Sequence, residues 1–503
     1  MQKLSENHQP VTKKRWRTAA IVTGIVGLGG FASFAVIVVS ALPNIQALDI
    51  ASEPLYAATQ GDKPALALAL SVEYPTVGAQ YVDQPGANTD SSYSPDKEYL
   101  GYYNHQMCYT YNNNPTETPA AGKTSSDYKR FVISGAATNH RCEDAFSGNF
   151  LNWASNSAID MLRLALSGGD RVIDEEKLTV LQRAVLPGNL NAGPGGSNFW
   201  NSSNFPAKEL KKGDGTYFGA IPKLMRDEAN SRGASSIWVG NRLNHIYFGT
   251  TKSSNPADYI LVTGKNLPAS AYGGTGSVCA NENGTCSIGG TLKQVWYGAP
   301  GKGWATMAVS GSVQCNNSVF GDPAIGTPKK CYLENYSASN AKNLNAEGFF
   351  YSRVEVCSQD ASGELTDKRD YRFCTRYPSG YHKPIGTIQH YNSQLRLAAF
   401  GYAIDNTLSY DNGKYGRYGG VLRAPMKFVG PKVYSTSGIE TGANPHAEWD
   451  DKTGILYQNP LNDTTYQNSG VINYLNKFGR LLPNKQGNYK TYDQASELYY
   501  EAL

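Results

Sequence analysis

Eight cysteines fall along this chain in four local couples: Cys108 with Cys142, Cys279 with Cys286, Cys315 with Cys331, and Cys357 with Cys374. An even number spaced in this way predicts a disulfide framework, which requires an oxidising compartment. In a chain of 503 residues such bridges brace loops and insertions and do not replace a core. Neighbour pairing is the simplest of many connectivities, and chain order alone does not select among them. Zinc ligation would call for short C-x-x-C pairs, and the sequence has none.

The first segment agrees with export. Lys13, Lys14, Arg15 and Arg17 precede an uncharged run from Thr18 to Leu42, after which Pro43 stops a helix and Ala47 offers a small residue for cleavage. The basic flank would stay inside a membrane while the body is passed outward. Gly24, Gly27, Gly29 and Gly30 weaken the run as a permanent helix, favouring a cleaved signal over an anchor. Lys3 and these four cations against Glu6 account for the whole formal excess of +4, so the remaining chain is neutral. A neutral body argues against bulk nucleic-acid binding through phosphate neutralisation and leaves open only a local patch.

Only 17% of residues are charged, while 52 Gly and 34 Tyr point to a loop-heavy globular chain and exclude disordered tails, coiled coils and multi-span membrane proteins. Pro64 to Leu70 is a short apolar run closed by Pro75, which predicts a buried strand. Residues 84–130, polar and rich in Tyr, Asn, Ser and Pro, predict surface loop. Leu151, Ala154, Ala158, Met161, Leu162 and Ala165 recur at helical spacing, predicting one helix across 147–169 with Ser147 or Asn149 as its cap and Gly168 at its end. Leu178 to Leu186 predicts a second strand. From about 188 to 380 short alternating segments predict a β-rich region holding six of the cysteines. Apolar core elements return at Ile385 to Tyr391 and Leu395 to Ile404. Two helices follow, one from Ser469 to Phe478 capped by Ser469, the other from Asp493 onward through Leu498, Tyr499 and Ala502. The apolar pattern continues to Leu503, as expected of a chain cut before a further region.

Signals for catalysis are weak. No two histidines stand at i, i+4, so the default reading is exposed or hydrogen-bonded imidazole and not metal ligation. No G-x-S-x-G occurs. Gly298 to Gly303 lacks the Ser or Thr of a phosphate loop and predicts a turn. Asp160, beside apolar helix positions, predicts a surface or capping carboxylate, with a buried acid as the alternative. Asp450 and Asp451 lack the alternating ligands and distal Glu of a calcium loop and predict a type I turn. No cofactor is expected.

Several segments together resemble the PilC/PilY family of type IV pilus tip proteins: Leu48 to Leu55, Ser147 to Ala154 through Asp160 to Arg163, Thr179 to Ala184, Arg376 to Gly386, Gly419 to Arg423, Ile472 to Gly479 and Glu497 to Leu503. The resemblance implies an exported α/β lobe of the von Willebrand factor A type, ahead of a β-propeller that this chain stops short of. In A-type domains the first strand ends in D-x-S-x-S, which brings oxygens to magnesium. Here the corresponding stretch offers only Ser71 and Glu73, alternating to one side of a strand, as weak metal candidates, so no divalent ion is expected to be needed for folding.

The expected organisation is a signal or anchor over 1–47, the first part of an α/β lobe over 48–187, a disulfide-braced β-rich insertion over 188–380, and a return to the lobe over 381–503. The resemblance implies a non-enzymatic, exported protein at the cell envelope, pilus tip or cell surface, acting in pilus assembly and adhesion. Its implied partners are minor pilins and a host-cell or abiotic surface, with membrane contact only through the N-terminal segment. Two other readings are a secreted hydrolase with a noncontiguous site, and a carbohydrate- or surface-binding module that uses tyrosines as stacking platforms.

Overall fold

The computed structural model describes residues 63–71, 74–113, 115–186, 202–252, 277–300, 304–335 apart from 321 and 325, 349–403 apart from 368 and 370–372, 419–465, 468–477, 489 and 495–503. The expected signal segment, the segment Leu48 to Leu55 and Glu73 lie outside them. Residues Thr59–Leu503 form one compact unit. No helix among the described residues is long and apolar enough to cross a membrane.

The architecture is mixed α/β and rich in strands. A six-stranded sheet runs in the order Phe146–Ser147, Met107–Asn112, Arg130–Ala136, Arg353–Glu355, Leu178–Gln182, Arg171–Glu175. A five-stranded sheet runs Phe350–Tyr351, His245–Gly249, Ser236–Arg242, Ala207–Lys211, Thr89–Asp90. Strands from either side of residue 188 therefore share both sheets. One core joins them, built on Tyr103, Tyr109, Tyr111, Phe131, Phe146, Phe150, Trp153, Phe248 and Phe350. The ring of Phe131 lies 5.3 Å from Phe146 and 5.5 Å from Tyr103 in edge-to-face contact, the arrangement that aromatic quadrupoles favour.

This core overturns the surface-loop expectation for 84–130. Tyr93, Tyr99, Tyr102, Tyr103, Tyr109 and Tyr111 are buried there, and Met107–Asn112 is an interior strand. A tyrosine is apolar along most of its length, and its one hydroxyl can be satisfied by a backbone group. Asn104 N donates to the Tyr109 hydroxyl at 2.7 Å, and Asp170 N donates to that of Tyr102 at 3.3 Å.

The single helix expected over 147–169 is two, Gly148–Ser155 and Ala158–Ser167. Ser147 caps the first, its hydroxyl accepting from Phe150 N at 3.3 Å. The break comes from a competing partner. Gln80 N donates to Asn156 O and Ala158 N to Gly78 O, each at 2.9 Å, so a neighbouring segment takes backbone groups that a continuous helix would use. Gly168 ends the second helix at φ +80°, where a Cβ would also collide with the Pro384 carbonyl. Asp160 is buried in this helix, not on the surface: both its oxygens accept from Ala184 N, at 2.9 and 3.1 Å, and Arg163 lies 3.7 Å away.

A three-stranded sheet pairs Ala65–Leu70 in parallel with Arg396–Tyr402, which pairs antiparallel with Gly420–Lys427. The first of these is a strand as expected but an edge strand, with only Leu70 buried. The core beneath this sheet uses Ile159, Leu397, Ala399, Val471, Ile472 and Leu475. The helix Val471–Lys477 is capped by Glu448 and not by Ser469: the carboxylate accepts from Val471 N at 2.8 Å and Ile472 N at 2.7 Å. The Ser469 hydroxyl instead donates to Asn459 at 2.7 Å. Of the segment Ile385 to Tyr391, Thr387–His390 forms a short helix.

A four-stranded sheet, Val278–Asn281, Lys330–Asn335, Thr285–Gly298 and Trp304–Gln314, stands on a small core of Val295, Tyr297, Ala305, Met307 and Phe320. The chain's disulfides are Cys108–Cys142, Cys279–Cys286, Cys315–Cys331 and Cys357–Cys374, and no cysteine is free.

Candidate functional site

Of the sequence-derived metal candidates, Ser71 and Asp450 are engaged within the protein, Asp451 lines a surface cleft and Glu73 falls outside the described residues. The Ser71 hydroxyl, at the end of the edge strand, lies 2.7 Å from the Tyr402 hydroxyl. Asp450 closes a turn: one carboxylate oxygen accepts from Lys452 N at 3.0 Å and from Thr453 N and Oγ1, each at 2.8 Å, while the other accepts from the Tyr457 hydroxyl at 3.1 Å. Partial burial would push its pKa up, but the Thr453, Lys452 and Tyr457 donors outweigh this and hold the carboxyl below its ordinary value. A calcium ion would have to displace these donors. The sulfurs gathered at Cys279, Cys315 and Cys331, and at Cys357 and Cys374 beside Asp367, are tied in disulfides and offer no thiolate.

Two other places gather chemistry at the surface. A cleft of about 500 Å³ is lined by Asn444, Trp449, Asp451, Tyr457, Gln458 and Asn459, among others. The turn held by Asp450 supplies one wall. Side-chain amides beside aromatic rings can hydrogen-bond and stack on a polar ring-shaped ligand.

The second place was not found from sequence. Thr138 and Arg141 exchange two backbone hydrogen bonds of 2.9 Å, closing a two-residue hairpin turn whose central residues, Asn139 and His140, both have positive φ, +49° and +60°. This turn sets the His140 ring against His105, with His140 Nε2 3.0 Å from His105 Nδ1. Glu98 Oε1 lies 3.6 Å from His105 Nε2. Burial lowers the pKa of His105, against the opposing pull of Glu98, so its neutral form is favoured. The signal available in sequence was position: His105 and His140 stand just ahead of Cys108 and Cys142, so a bridge between those cysteines brings the imidazoles together.

The described residues thus offer a polar aromatic cleft and a histidine pair in a strand-rich, disulfide-bonded body. A family model described as the PilY1 homolog small alpha/beta domain matches residues 90–193. That range holds the histidine pair, both helices of the broken run and four strands of the six-stranded sheet besides Phe146–Ser147. A curated "Type IV pilus biogenesis factor PilY1 homolog" of Xylella fastidiosa (strain Temecula1 / ATCC 700964) is 30% identical over 473 residues, covering 90% of this chain and 29% of the relative. A further match to a protein of the same description and organism is 32% identical over 99 residues, 20% of this chain and 6% of the relative. The chain therefore spans less than a third of the length of the curated relatives it matches. No solved structure matches it. With the family's small domain inside it and a family relative aligned along nine-tenths of its length, the chain belongs to the PilY1 family.

Proposed function

We propose that this chain is an exported, non-enzymatic component of type IV pilus biogenesis, associated with the pilus tip and contributing to surface or host-cell adhesion. The observation that carries the reading is the similarity along 90% of the chain to a protein named as a pilus biogenesis factor. The four disulfides support a place in the envelope or at the surface, beyond the reducing cytoplasm. Residues 48–187 and 381–503 then make one α/β lobe of the von Willebrand factor A type, with 188–380 as an insertion whose strands extend into both large sheets. The parallel pairing of Ala65–Leu70 with Arg396–Tyr402 favours this, because it joins the two flanks of the proposed insertion in one sheet.

The partners in this reading are minor pilins. The helix Ala495–Ala502 offers them a surface, since Leu498 packs inward while Tyr499 and Tyr500 are exposed. Deletion of the coding gene should remove sheared surface pili, and the full chain supplied in trans should restore them. Normal pilus yield in the deletion strain would sink the assembly role. Tyr499→Ser with Tyr500→Ser should weaken capture of minor pilins without changing the melting temperature.

The Trp449 and Tyr457 cleft favours one second reading, a carbohydrate-binding surface. A glycan array with the parent chain and with Tyr457→Ala would separate the two. Signal on the array that is lost in the variant, together with unaltered piliation, would favour the carbohydrate module.

A further inference from the structure

We propose that Glu98, His105 and His140 form a binding site for a divalent transition-metal ion of the zinc class, clamped by the Cys108–Cys142 disulfide. The argument begins with hydrogen positions. His140 Nδ1 lies 2.7 Å from the Pro95 carbonyl, which can only accept, so that nitrogen carries the proton. In the neutral ring Nε2 is then a bare lone pair, and it faces His105 Nδ1 at 3.0 Å. Either neutral tautomer of His105 leaves one clash: with the hydrogen on Nδ1, toward His140, its Nε2 is bare 3.6 Å from a carboxylate oxygen of Glu98, and with the hydrogen on Nε2, toward Glu98, its Nδ1 is bare against His140 Nε2. Two electron-rich atoms then face each other without a hydrogen between them. A cation among the three side chains resolves that conflict.

The surroundings have the features of a ligand set. One ligand atom from each residue lies within 4.8 Å of the others. Tetrahedral zinc with bonds of about 2.1 Å separates its ligands by about 3.4 Å, so small ring and carboxylate rotations close the site. A ligating histidine typically donates its other ring N–H to a carbonyl, as His140 does to Pro95. The His140 backbone is held as well, because the Ser147 hydroxyl donates to its carbonyl at 2.6 Å. His140 also occupies a positive-φ turn position for which glycine is the usual residue. Two nearby cations are engaged elsewhere, Arg369 by Asp367 at 2.8 Å and Arg141 by Asp96 at 3.5 Å. Glu98 is half exposed, so an ion has a path in, and three protein ligands leave a fourth position for water or a partner's side chain. This site is independent of the pilus reading, and either can fail alone.

The test uses the full exported chain, stripped with chelator and titrated with zinc chloride by calorimetry. One ion per chain is expected. His105→Ala and His140→Ala should each weaken binding by about 100-fold or more, since losing even an outer partner of a metal ligand costs on the order of 10 to 100-fold; Glu98→Gln should weaken it less. Peptide mapping of the Cys108–Cys142 bridge checks that the variants are folded. Should they misfold, the parent decides: zinc should protect both His105 and His140 from diethylpyrocarbonate. Absence of zinc binding by the parent, unchanged affinity in both histidine variants, or equal modification with and without zinc would overturn the site, leaving the pair to be held by a proton on His105.

Discussion

The aromatic core under the two large sheets and the four-stranded sheet over 278–335 solve the same problem by different means. The first buries a continuous set of rings, Tyr103, Tyr111, Phe131, Phe146, Phe248 and Phe350 among them. The second has a core of few large side chains, and three of its buried members are the half-cystines Cys286, Cys315 and Cys331. Apolar burial stabilises the folded state, whereas a cross-link in the chain-entropy model acts on the unfolded chain. The two regions should therefore respond differently to truncation, reduction and acid.

The largest effect belongs to the aromatic core. Phe131→Ala removes a fully buried ring touching Tyr103, Tyr111, Phe146 and Phe350, and should cost about 3–5 kcal/mol by denaturant unfolding. A loss below about 1 kcal/mol would show that the rings are loosely packed. Next comes the stapled sheet. Replacing Cys315 and Cys331 with Ser opens a bridge of sequence separation 16, and should cost that region about 3 kcal/mol. Hydrogen exchange should rise over 278–335 and stay slow over 107–112 and 130–136. Equal rises in both would erase the distinction.

Acid sharpens it further. Burial, with Arg353, Arg183 and Arg242 nearby, drives the pKa of His245 well below the ordinary 6.5. The unfolded chain then binds the proton first, so this stability is fully present above pH 6.5 and declines as pH falls from there toward the folded pKa. The parent should lose up to about 1.4 kcal/mol per pH unit below 6.5, and His245→Gln should flatten that slope. Identical slopes would assign the acid sensitivity elsewhere. The smallest effect is expected at the solvent-exposed pair Lys223 and Asp227, 2.6 Å apart on one helix, where Asp227→Asn should change stability by less than about 0.5 kcal/mol.

Local signals in the sequence were legible where short-range physics decides. Ser147 and Gly168 cap helices because caps depend on neighbours in the chain. The second half of that helical pattern could not announce its break, since the interruption is made by Gly78 and Gln80 from far upstream. Glu448 as the cap of Val471–Lys477 was hidden for the same reason. The tyrosines of 84–130 misled because their composition is that of a loop, while their burial depends on partners such as Asn104 and Asp170. Of the candidate sites, His105 and His140 escaped a search for helical spacing because a turn and a bridge bring them together, and no helix does.

The edge strand Ala65–Leu70 has a temporal consequence. Its partner follows 331 residues later, the separation that also divides Ser71 from its hydrogen-bonded Tyr402. At synthesis rates of about 5–20 residues per second, that partner appears only after tens of seconds. The six-stranded sheet completes at Arg353–Glu355, so it can assemble while the earlier strand still shows an unpaired edge to any other chain nearby. Shielding of that edge until its partner is made limits pairing with other chains. A slow, concentration-dependent loss of product is the failure to look for when many copies of the chain are made at once.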